Sequence, residues 1–312
     1  MQQTDGQPDA ARLNADDAAE WVKRARRGDF EGAWTLSDRI LARGQLCDHT
    51  SPRHHQQVWD GTPLAGRRVL IRCYHGLGDT VQFVRYAPMV RAVAREVIVW
   101  AQPALLDLLS PVAGIDRLLP LHDGSPEATY DVDVEVMELP FVFRTTLDTI
   151  PRACPYLQAR PLPLPGDRPR IGLVWRAGAW EQRRSIAFAQ LAPLMELRGC
   201  SWFQLQHEAE PDERHRDLAV VDTGDVAQTA RFMSDLDLVI TIDSLPAHLA
   251  GALGAPVWTL LTTPADWRWM TDRTDSPWYP TMRLFRQRDA GEWRPVIEDV
   301  HHALQQRFNL RT

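Results

Sequence analysis

From about residue 69 onwards, short apolar runs alternate with longer stretches in which apolar residues recur at helical spacing. Short apolar runs bounded by turn residues are typical of buried parallel strands. The runs predict strands at Val69–Tyr74, Val97–Trp100, Arg117–Leu121, Val132–Met137, Ile171–Trp175, Trp202–Gln206, Leu238–Ile242 and Val257–Leu261. The stretches between and after them predict helices at Thr80–Arg95, Ala104–Leu109, Phe188–Leu197, Val226–Ser234, Pro246–Leu253 and Arg294–Phe308. This alternation predicts an α/β protein with parallel sheets.

A proline-rich segment divides the α/β pattern into two parts. Residues Arg160–Pro169 contain four prolines within ten positions, which is typical of a linker between domains. We therefore expect one α/β domain over residues 51–160 and a second over residues 161–312. In such proteins ligands bind at the carboxyl ends of the strands, so a cleft between the two sheets is the expected site.

The first 50 residues have a different character. Residues 1–14 are polar and show no period, which predicts disorder. Apolar residues then recur at helical spacing from Asp16 to about Arg43, and a break at Gly28-Asp29 predicts a helical hairpin. The spacing of Gly28 and Ala33 resembles one tetratricopeptide unit. One such unit cannot bury its own apolar face, so the hairpin should pack on the following domain and could also contact a partner protein. Residues 44–66 are turn-rich and predict a connector.

Composition excludes several classes of protein. A net charge of -6 argues against a nucleic-acid binder that neutralises phosphates over a broad surface. The N-terminus lacks the apolar segment of a secretory signal, and no apolar run approaches the ~18 residues that a membrane span requires. We therefore predict a cytoplasmic protein. The cysteines form no closely spaced pair, which favours reduced, mostly buried thiols at Cys47, Cys73, Cys154 and Cys200.

The loop after the first predicted strand is the first candidate for chemistry. It reads His75-Gly76-Leu77-Gly78-Asp79-Thr80, and its glycines would let the backbone approach a ligand closely. Asp79 stands where an aspartate commonly caps a helix, and its position alone does not separate capping from a functional role. The Gly-x-Gly-x-x-Gly fingerprint of dinucleotide binding is absent here.

The second candidate is the segment from Thr241 to Gly254, in which a strand leads directly into a helix. Ser244 stands at the expected cap and Pro246 in the first turn. Backbone N–H groups and the helix dipole make such an end a site for a diphosphate. His248 lies one turn further on, where it could add a hydrogen bond or charge. A lone helical histidine is usually structural, but its convergence with Asp243 and Ser244 favours function.

The third candidate is the loop from Trp175 to Ser185, which follows the first strand of the second domain. Its paired arginines, Arg183 and Arg184, could bind phosphate oxygens bidentately. On sequence alone, a solvated pair of charges is the simpler interpretation.

Several segments resemble one known family, and they occur in the family's order along about four-fifths of the chain, from about Trp59 to the C-terminus. The family is that of the glycosyltransferases that include the bacterial ADP-heptose:lipopolysaccharide heptosyltransferases, and the similarity is greatest to its branch behind tetratricopeptide repeats. The segments lie at residues 59–71, 75–86, 145–151, 171–175, 183–186, 240–258 and 266–287. The resemblance implies the GT-B fold, in which two Rossmann-like domains face each other across a cleft. It also implies inverting sugar transfer from a nucleotide diphosphate without a metal or other cofactor.

The resemblance also assigns roles to residues. Asp79 matches the aspartate proposed as general base, which would take the proton of the acceptor hydroxyl. The helix end at Ser244–Pro246, together with His248 and a cation, would stabilise the leaving diphosphate. Arg184 takes the place of the family's phosphate-binding lysine. The rest of the predicted donor site is Asp243, Leu245, Gly224 and Glu208, and the loop residues near either substrate are His75, Gly76, Gly78 and Trp175.

The chain departs from the family pattern in ways that leave the donor open. Asp243-Ser244-Leu245 replaces Asp-Thr-Gly, and the leucine would crowd the approach to phosphate. Glu208 and Glu210 are both candidates for the glutamate that holds the donor's ribose. The acceptor could be a glycan, a lipid-linked sugar or a protein. An inactive interaction protein and a sugar-nucleotide epimerase are alternative functions, and the first of these predicts an intact fold that binds no donor.

Overall fold

A computed structural model describes residues 15–42, 52–53, 56–178 and 181–311. Three predictions lie outside the described residues. They are the disorder of residues 1–14, the thiol of Cys47 and the connector at residues 44–51 and 54–55.

The first sheet has four parallel strands in the order β3-β2-β1-β4. These strands are β1 (Arg68–Arg72), β2 (Glu96–Ala101), β3 (Arg117–Pro120) and β4 (Val132–Glu135). The helices that connect or follow them are α3 (Leu77–Phe83), α4 (Ala87–Val93), α5 (Leu106–Leu109) and α6 (Leu139–Val142). Strands β1 and β2 are almost entirely buried, as expected for a parallel sheet that is covered on both faces.

The second sheet has six parallel strands in the order β10-β9-β8-β5-β6-β7. Its strands are β5 (Arg170–Leu173), β6 (Ser201–Gln204), β7 (Leu218–Val220), β8 (Leu238–Ile242), β9 (Val257–Leu261) and β10 (Met282–Arg286). Its helices are α7 (Ala192–Met195), α8 (Val226–Met233), α9 (Leu245–Ala252) and α10 (Arg294–Phe308). The two parallel sheets confirm the predicted α/β class.

The prediction of single helices over Thr80–Arg95 and Phe188–Leu197 was wrong. The first stretch forms α3 and α4 with a 3₁₀ turn at Val84–Tyr86 between them, and the second forms a 3₁₀ turn at Phe188–Leu191 followed by α7. Both breaks precede a proline, Pro88 or Pro193, that stands in the first turn of the next helix. A proline inside a helix removes an N–H and clashes with the preceding turn, so the helix restarts at that point.

The sequence did not predict strands β7 and β10. Strand β7 has only three residues, two of them exposed, and its apolar run is short, at Leu218–Val221. Strand β10 begins Met282-Arg283-Leu284, and the exposed arginine interrupts the apolar pattern.

The predicted helical hairpin is present and contacts both halves of the molecule. It consists of α1 (Ala15–Arg26) and α2 (Phe30–Ala42), which are joined through Gly28 in the left-handed conformation. The Trp34 indole donates a hydrogen bond of 2.7 Å to the Thr145 carbonyl, which follows the first sheet. The Trp21 ring packs edge-on against Trp267 of the second half, with 5.4 Å between the ring centroids. The hairpin therefore packs on both domains and not only on the one that follows it.

The thiols of the described cysteines, Cys73, Cys154 and Cys200, are all free. Cys73 is completely buried, and burial raises the pKa of its thiol above the ordinary range. In the part of the chain that the structure describes, no helix is long and apolar enough to cross a bilayer.

Replacing Trp34 with alanine should destabilise the whole protein, because Trp34 is buried between the hairpin and the first sheet. We expect a loss of about 3–5 kcal/mol in the free energy of unfolding, the usual cost of truncating a buried aromatic side chain. Urea unfolding followed by fluorescence and circular dichroism measures this loss. The control is Thr35→Ala on the exposed face of α2, which should change stability by less than about 1 kcal/mol. Equal stability of the two variants would show that the hairpin is only loosely attached.

Candidate functional site

A cavity of about 940 Å³ lies between the carboxyl ends of the two sheets. It is bounded by the loops that follow β1, β5 and β8 and by the turn that follows β9. The residues that the sequence predicted for the site line this cavity, except Trp175 and Arg183, whose exposed side chain pairs with Glu181 at 2.7 Å. The lining residues among them are His75, Gly76, Gly78, Asp79, Arg184, Glu208, Gly224, Asp243, Ser244, Leu245 and His248.

Trp175 is fully buried beside the site and supports its wall. Its indole donates a hydrogen bond of 2.9 Å to Glu213, and its backbone N–H donates to the side-chain oxygen of Gln206 at 3.2 Å. Trp175 therefore holds the loop after β5 in place and does not face a ligand.

Asp79 caps a helix and also faces the cavity. Its Oδ2 accepts a hydrogen bond of 2.9 Å from the Gly76 N–H, which caps the start of α3. Its Oδ1 pairs with Nη2 of Arg268, at 2.5 Å, across the cavity. About a quarter of the side chain remains exposed, so the carboxylate faces the cavity and is accessible from it.

Arg268 is the partner that the sequence did not assign to the site. It lies in the 3₁₀ turn Trp267–Trp269, and its guanidinium also pairs with Asp266 at 2.9 Å. Burial opposes its charge, but the carboxylates of Asp266 and Asp79 outweigh burial and raise its pKa. The site therefore contains a buried, permanently charged guanidinium that joins the second half of the molecule to the first.

Ser244 precedes α9 in an extended conformation, but its side chain does not cap the helix, contrary to the prediction. Its hydroxyl donates instead to the Ile242 carbonyl, at 3.4 Å. Pro246 in the first turn has no N–H, and the Ala247 N–H donates to the Ser244 carbonyl. An anion at this end of α9 would therefore interact mainly with the helix dipole and the Leu245 amide, and less with a row of free N–H groups.

Asp243 and Arg184 form an ion pair beside this helix end, with 3.2 Å between Oδ2 and Nη1. Asp243 is only 5% exposed. Burial raises the pKa of Asp243 to about 6, although Arg184 acts in the opposite direction and neighbouring Asp266 adds to the rise. Burial also opposes the charge of Asp266, but the guanidinium of Arg268 holds the pKa of that carboxyl below its usual value. Of this buried pair of carboxylates, Asp243 is thus the one that more readily takes a proton.

His248 is buried, and its ring stacks on Trp269 with 5.2 Å between the centroids. Its Nδ1 lies 3.0 Å from the Tyr279 hydroxyl. Burial, reinforced by the charge of Arg268, lowers the pKa of His248 well below its ordinary value. The residue is therefore neutral and can offer a ligand a hydrogen bond but not the positive charge that the sequence analysis also considered.

The starts of α3 and α9 meet closely at one end of the cavity. A Cβ atom on Gly78 would lie 2.9 Å from Cδ2 of His248 and 3.5 Å from Cα of Leu245. Only glycine fits here without displacing a ring that already packs on Trp269. Gly78 therefore allows the two halves to approach each other, and Leu245 narrows the cavity at this point.

The other end of the cavity is polar and carries the two glutamates that were candidates for holding a ribose. Arg176 binds the Glu210 carboxylate at 2.9 Å and also donates to the Glu208 carbonyl. The Glu208 side chain is exposed. Gly224 donates its N–H to Asp222, at 2.9 Å, in the turn that leads into α8. Glu208 and Gly224 thus line the polar end of the cavity, and the carboxylate of Glu210 is paired with Arg176.

His75 completes the first wall, with Nδ1 2.9 Å from the Glu135 carboxylate. Burial alone would lower the pKa of His75, but the hydrogen bond to Glu135 raises it above the ordinary value. Among the residues that the structure describes, no three His, Cys, Asp or Glu side chains are grouped so that they could hold a metal ion.

The residues that the sequence analysis missed are mainly partners of charged groups. Arg268 and Asp266 come from the segment Asp266-Trp267-Arg268-Trp269, and Arg176 lies in the third candidate loop, three residues after β5. An Asp-x-Arg pair next to two tryptophans was a usable signal, because buried charges require a partner of opposite sign. Its position after β9 also placed it at the carboxyl edge of the second sheet.

Comparison with known proteins gives a clear result for the fold. No model of a known protein family matches the chain. A glycosyl transferase family 9 protein from Veillonella parvula superposes with a TM-score of 0.55 at 12% identity, covering 78% of this chain and 90% of that one. Heptosyltransferase WaaC of E. coli, solved with ADP, gives 0.51 at 13% identity and covers 77% and 99%. Together with the two parallel sheets, these similarities confirm the predicted GT-B fold, with two Rossmann-like domains facing across a cleft.

Two further relatives were found. TibC, an iron-containing dodecameric glycosyltransferase from enterotoxigenic E. coli, gives a TM-score of 0.52 at 14% identity, covering 75% of this chain and 67% of TibC. Protein FlbA of Caulobacter vibrioides is 26% identical over 289 residues, which cover 79% of this chain. The aligned part makes up 48% of FlbA, so the chain spans about half the length of that relative.

Replacing Gly78 with alanine should push α3 and α9 apart, because the new methyl group meets the His248 ring. We expect the free energy of unfolding to fall by about 1–3 kcal/mol, the usual cost of overpacking a rigid contact. Thermal melting measures the loss. The matched control is Gly76→Ala, whose new methyl group would meet only the end of the Asp79 side chain at 3.2 Å. A Gly78→Ala variant as stable as the control would contradict the close contact between the two halves.

Proposed function

We propose that the protein is an inverting glycosyltransferase that moves a sugar from a nucleotide diphosphate to an acceptor hydroxyl without a metal ion. The observation that carries the proposal is the position of the Asp79 carboxylate. It faces a cavity whose opposite wall holds the start of α9, Arg184 and His248. A base on one wall and a site for a diphosphate on the other are what such a transfer requires.

In this mechanism Asp79 removes the proton of the acceptor hydroxyl as that oxygen attacks the anomeric carbon. The bond from this carbon to the diphosphate breaks, and the configuration at the carbon inverts. Each carboxylate oxygen has two lone pairs, so Asp79 can accept the hydroxyl proton while it keeps its bonds to Gly76 and Arg268. Positioned proton transfer of this kind contributes about 10²–10⁴-fold in rate.

The diphosphate leaves with increased negative charge, which the second half of the molecule can stabilise. Arg184 and Arg268 supply fixed positive charge, and the α9 dipole points its positive end into the cavity. Neutral His248 can donate a hydrogen bond from Nε2 if Tyr279 donates to its Nδ1. Because these groups are in place before the donor arrives, they need little reorganisation during the reaction.

The comparisons support this proposal through fold alone. WaaC is described as a heptosyltransferase solved with ADP, and TibC as an iron-containing glycosyltransferase. By analogy we assign residues 51–160 to the acceptor and residues 161–312 to the donor, with a heptose among the possible sugars. A glycan, a lipid-linked sugar and a protein are all possible acceptors. The proposal also includes a place in the tetratricopeptide-associated branch of the family and a cytoplasmic location.

Replacing Asp79 with asparagine should abolish transfer but preserve donor binding, because it removes the base and leaves the diphosphate site intact. We expect kcat to fall by at least about 10²-fold, the contribution of a general base. Donor affinity should stay within about threefold or improve, since Arg268 loses an anionic partner. The measurements are product formation and calorimetric titration with a nucleotide-diphosphate sugar.

The complementary variant is His248→Ala, which removes a group from the opposite wall. It should weaken donor binding by about tenfold, the loss of one hydrogen bond in a buried site. The proposal fails if Asp79→Asn keeps full transfer activity. Donor affinity that is unchanged in His248→Ala would show that this histidine is purely structural.

Donor binding should strengthen as the pH falls from about 7.5 to about 5. The pKa of Asp243 is raised to about 6, so this carboxylate loses its charge in that range while the diphosphate diester of ADP-glucose keeps its own. Protonation removes repulsion and releases Arg184 toward the phosphates, and we expect a gain of about three- to tenfold in affinity. Calorimetry at several pH values measures the change.

Asp243→Asn is the control for this pH dependence, because His75 also lines the cavity and gains charge at low pH. The asparagine variant should lose most of the dependence and bind as tightly at neutral pH as the wild type does at acidic pH. An unchanged pH dependence in Asp243→Asn would assign the effect to His75 and contradict the role of Asp243.

A further inference from the structure

The hairpin α1–α2 contacts both ends of the turn that carries Arg268. At the first end, Trp267 is buried against the Trp21 ring, edge-on, with 5.4 Å between centroids, and against Phe30, at 6.1 Å. At the other end, the Thr271 N–H donates to the Arg26 carbonyl at 2.9 Å. Arg268 lies between these two contacts and points into the cavity.

The segment that the hairpin holds has an unfavourable backbone. Met270 and Asp272 both have positive φ angles, 55° and 54°, although neither is a glycine. Such conformations persist only where surrounding contacts impose them. From the second sheet, Arg286 contributes by donating to the carbonyls of Trp269 and Met270. The Trp278 indole donates to the Arg268 carbonyl at 2.9 Å, and the hairpin adds the hydrogen bond from Thr271 to Arg26 and the ring contacts to Trp267.

The same aromatic cluster reaches the helix that begins next to Asp79. Phe83 of α3 stacks on Trp267 at an interplanar angle of 15°. The Arg268 guanidinium lies over both rings, 5.5 Å from the Phe83 centroid and 5.1 Å from that of Trp267. A change in the position of Trp267 would therefore move the guanidinium that binds Asp79.

We propose that the hairpin is a positioning element of the site: through Trp21 and Arg26 it fixes the turn 267–271, and through Arg268 it fixes the Asp79 carboxylate. Trp21 and Trp267 are then positioning residues, since they act on the site through Arg268. The catalytic meaning of this arrangement rests on the proposed function. The physical coupling does not, and it can be tested without substrate.

Hydrogen exchange followed by mass spectrometry tests the coupling in the full chain. Trp21→Ala should speed exchange of the amides in residues 266–272 and also in residues 76–80. We expect an increase of about tenfold or more, and tenfold corresponds to about 1.4 kcal/mol of lost protection. Residues 76–80 are informative because the Gly76 amide donates a hydrogen bond to the Asp79 carboxylate. Trp21→Phe, which keeps an aromatic ring, should restore most of the protection at both segments.

Arg268→Gln separates the steps of the proposed coupling. It should deprotect residues 76–80 while the hairpin, residues 15–42, stays protected. The double variant with Trp21→Ala should add little at residues 76–80, because both changes act through one contact. The matched control is Asp38→Asn, which breaks a hairpin contact to Arg144 on the first domain, and it should leave residues 76–80 and 266–272 unchanged.

Two results would overturn the inference. One is faster exchange at residues 266–272 in Trp21→Ala with no change at residues 76–80. The other is fully additive deprotection of residues 76–80 by Trp21→Ala and Arg268→Gln. If Trp21→Ala unfolds the whole chain, the milder Trp21→Leu provides the same comparison. Because no donor or acceptor enters the experiment, an inactive wild-type protein would count against the proposed function and not against this coupling.

Discussion

The ion pair between Arg268 and Asp79 is the contact on which the site depends. It joins residues 189 positions apart and brings the second sheet's turn to the start of α3. Removing two charges from water is costly unless geometry and further hydrogen bonds compensate, and here Asp266 and the Gly76 amide provide those bonds. Without Asp79, the buried guanidinium of Arg268 would depend on Asp266 for compensation of its charge.

Several other features of the molecule are consistent with this contact. Gly78 gives α9 room to approach α3, and the hairpin covers the aromatic cluster that surrounds Trp267. Asp243 is balanced by Arg184 on the same wall, so the cavity presents paired charges on both sides. An anion that enters must compete with these carboxylates for the guanidinium groups, which makes its binding sensitive to their protonation.

Much of the architecture could be predicted because buried parallel strands leave a strong apolar signal. Strand β9 and helix α10 have the predicted bounds, and the loops after β1, β5 and β8 meet at one cavity because parallel strands share an edge. What could not be predicted depends on contacts between distant residues. The prediction that Ser244 caps α9 was wrong because its hydroxyl donates to the Ile242 carbonyl instead. Arg268 pairs with Asp79 only because the fold brings the two domains together.

We propose that the cavity binds the diphosphate of a sugar nucleotide. A thermal-shift screen of the purified protein against ADP-, UDP-, GDP- and CDP-sugars tests it most directly, because a ligand at about 100 times its Kd stabilises the folded state by about 2.7 kcal/mol. We expect at least one of these compounds to raise the melting temperature of the wild type and Arg184→Gln to lose most of the rise. No shift with any of them, or an equal shift in the variant, would contradict it.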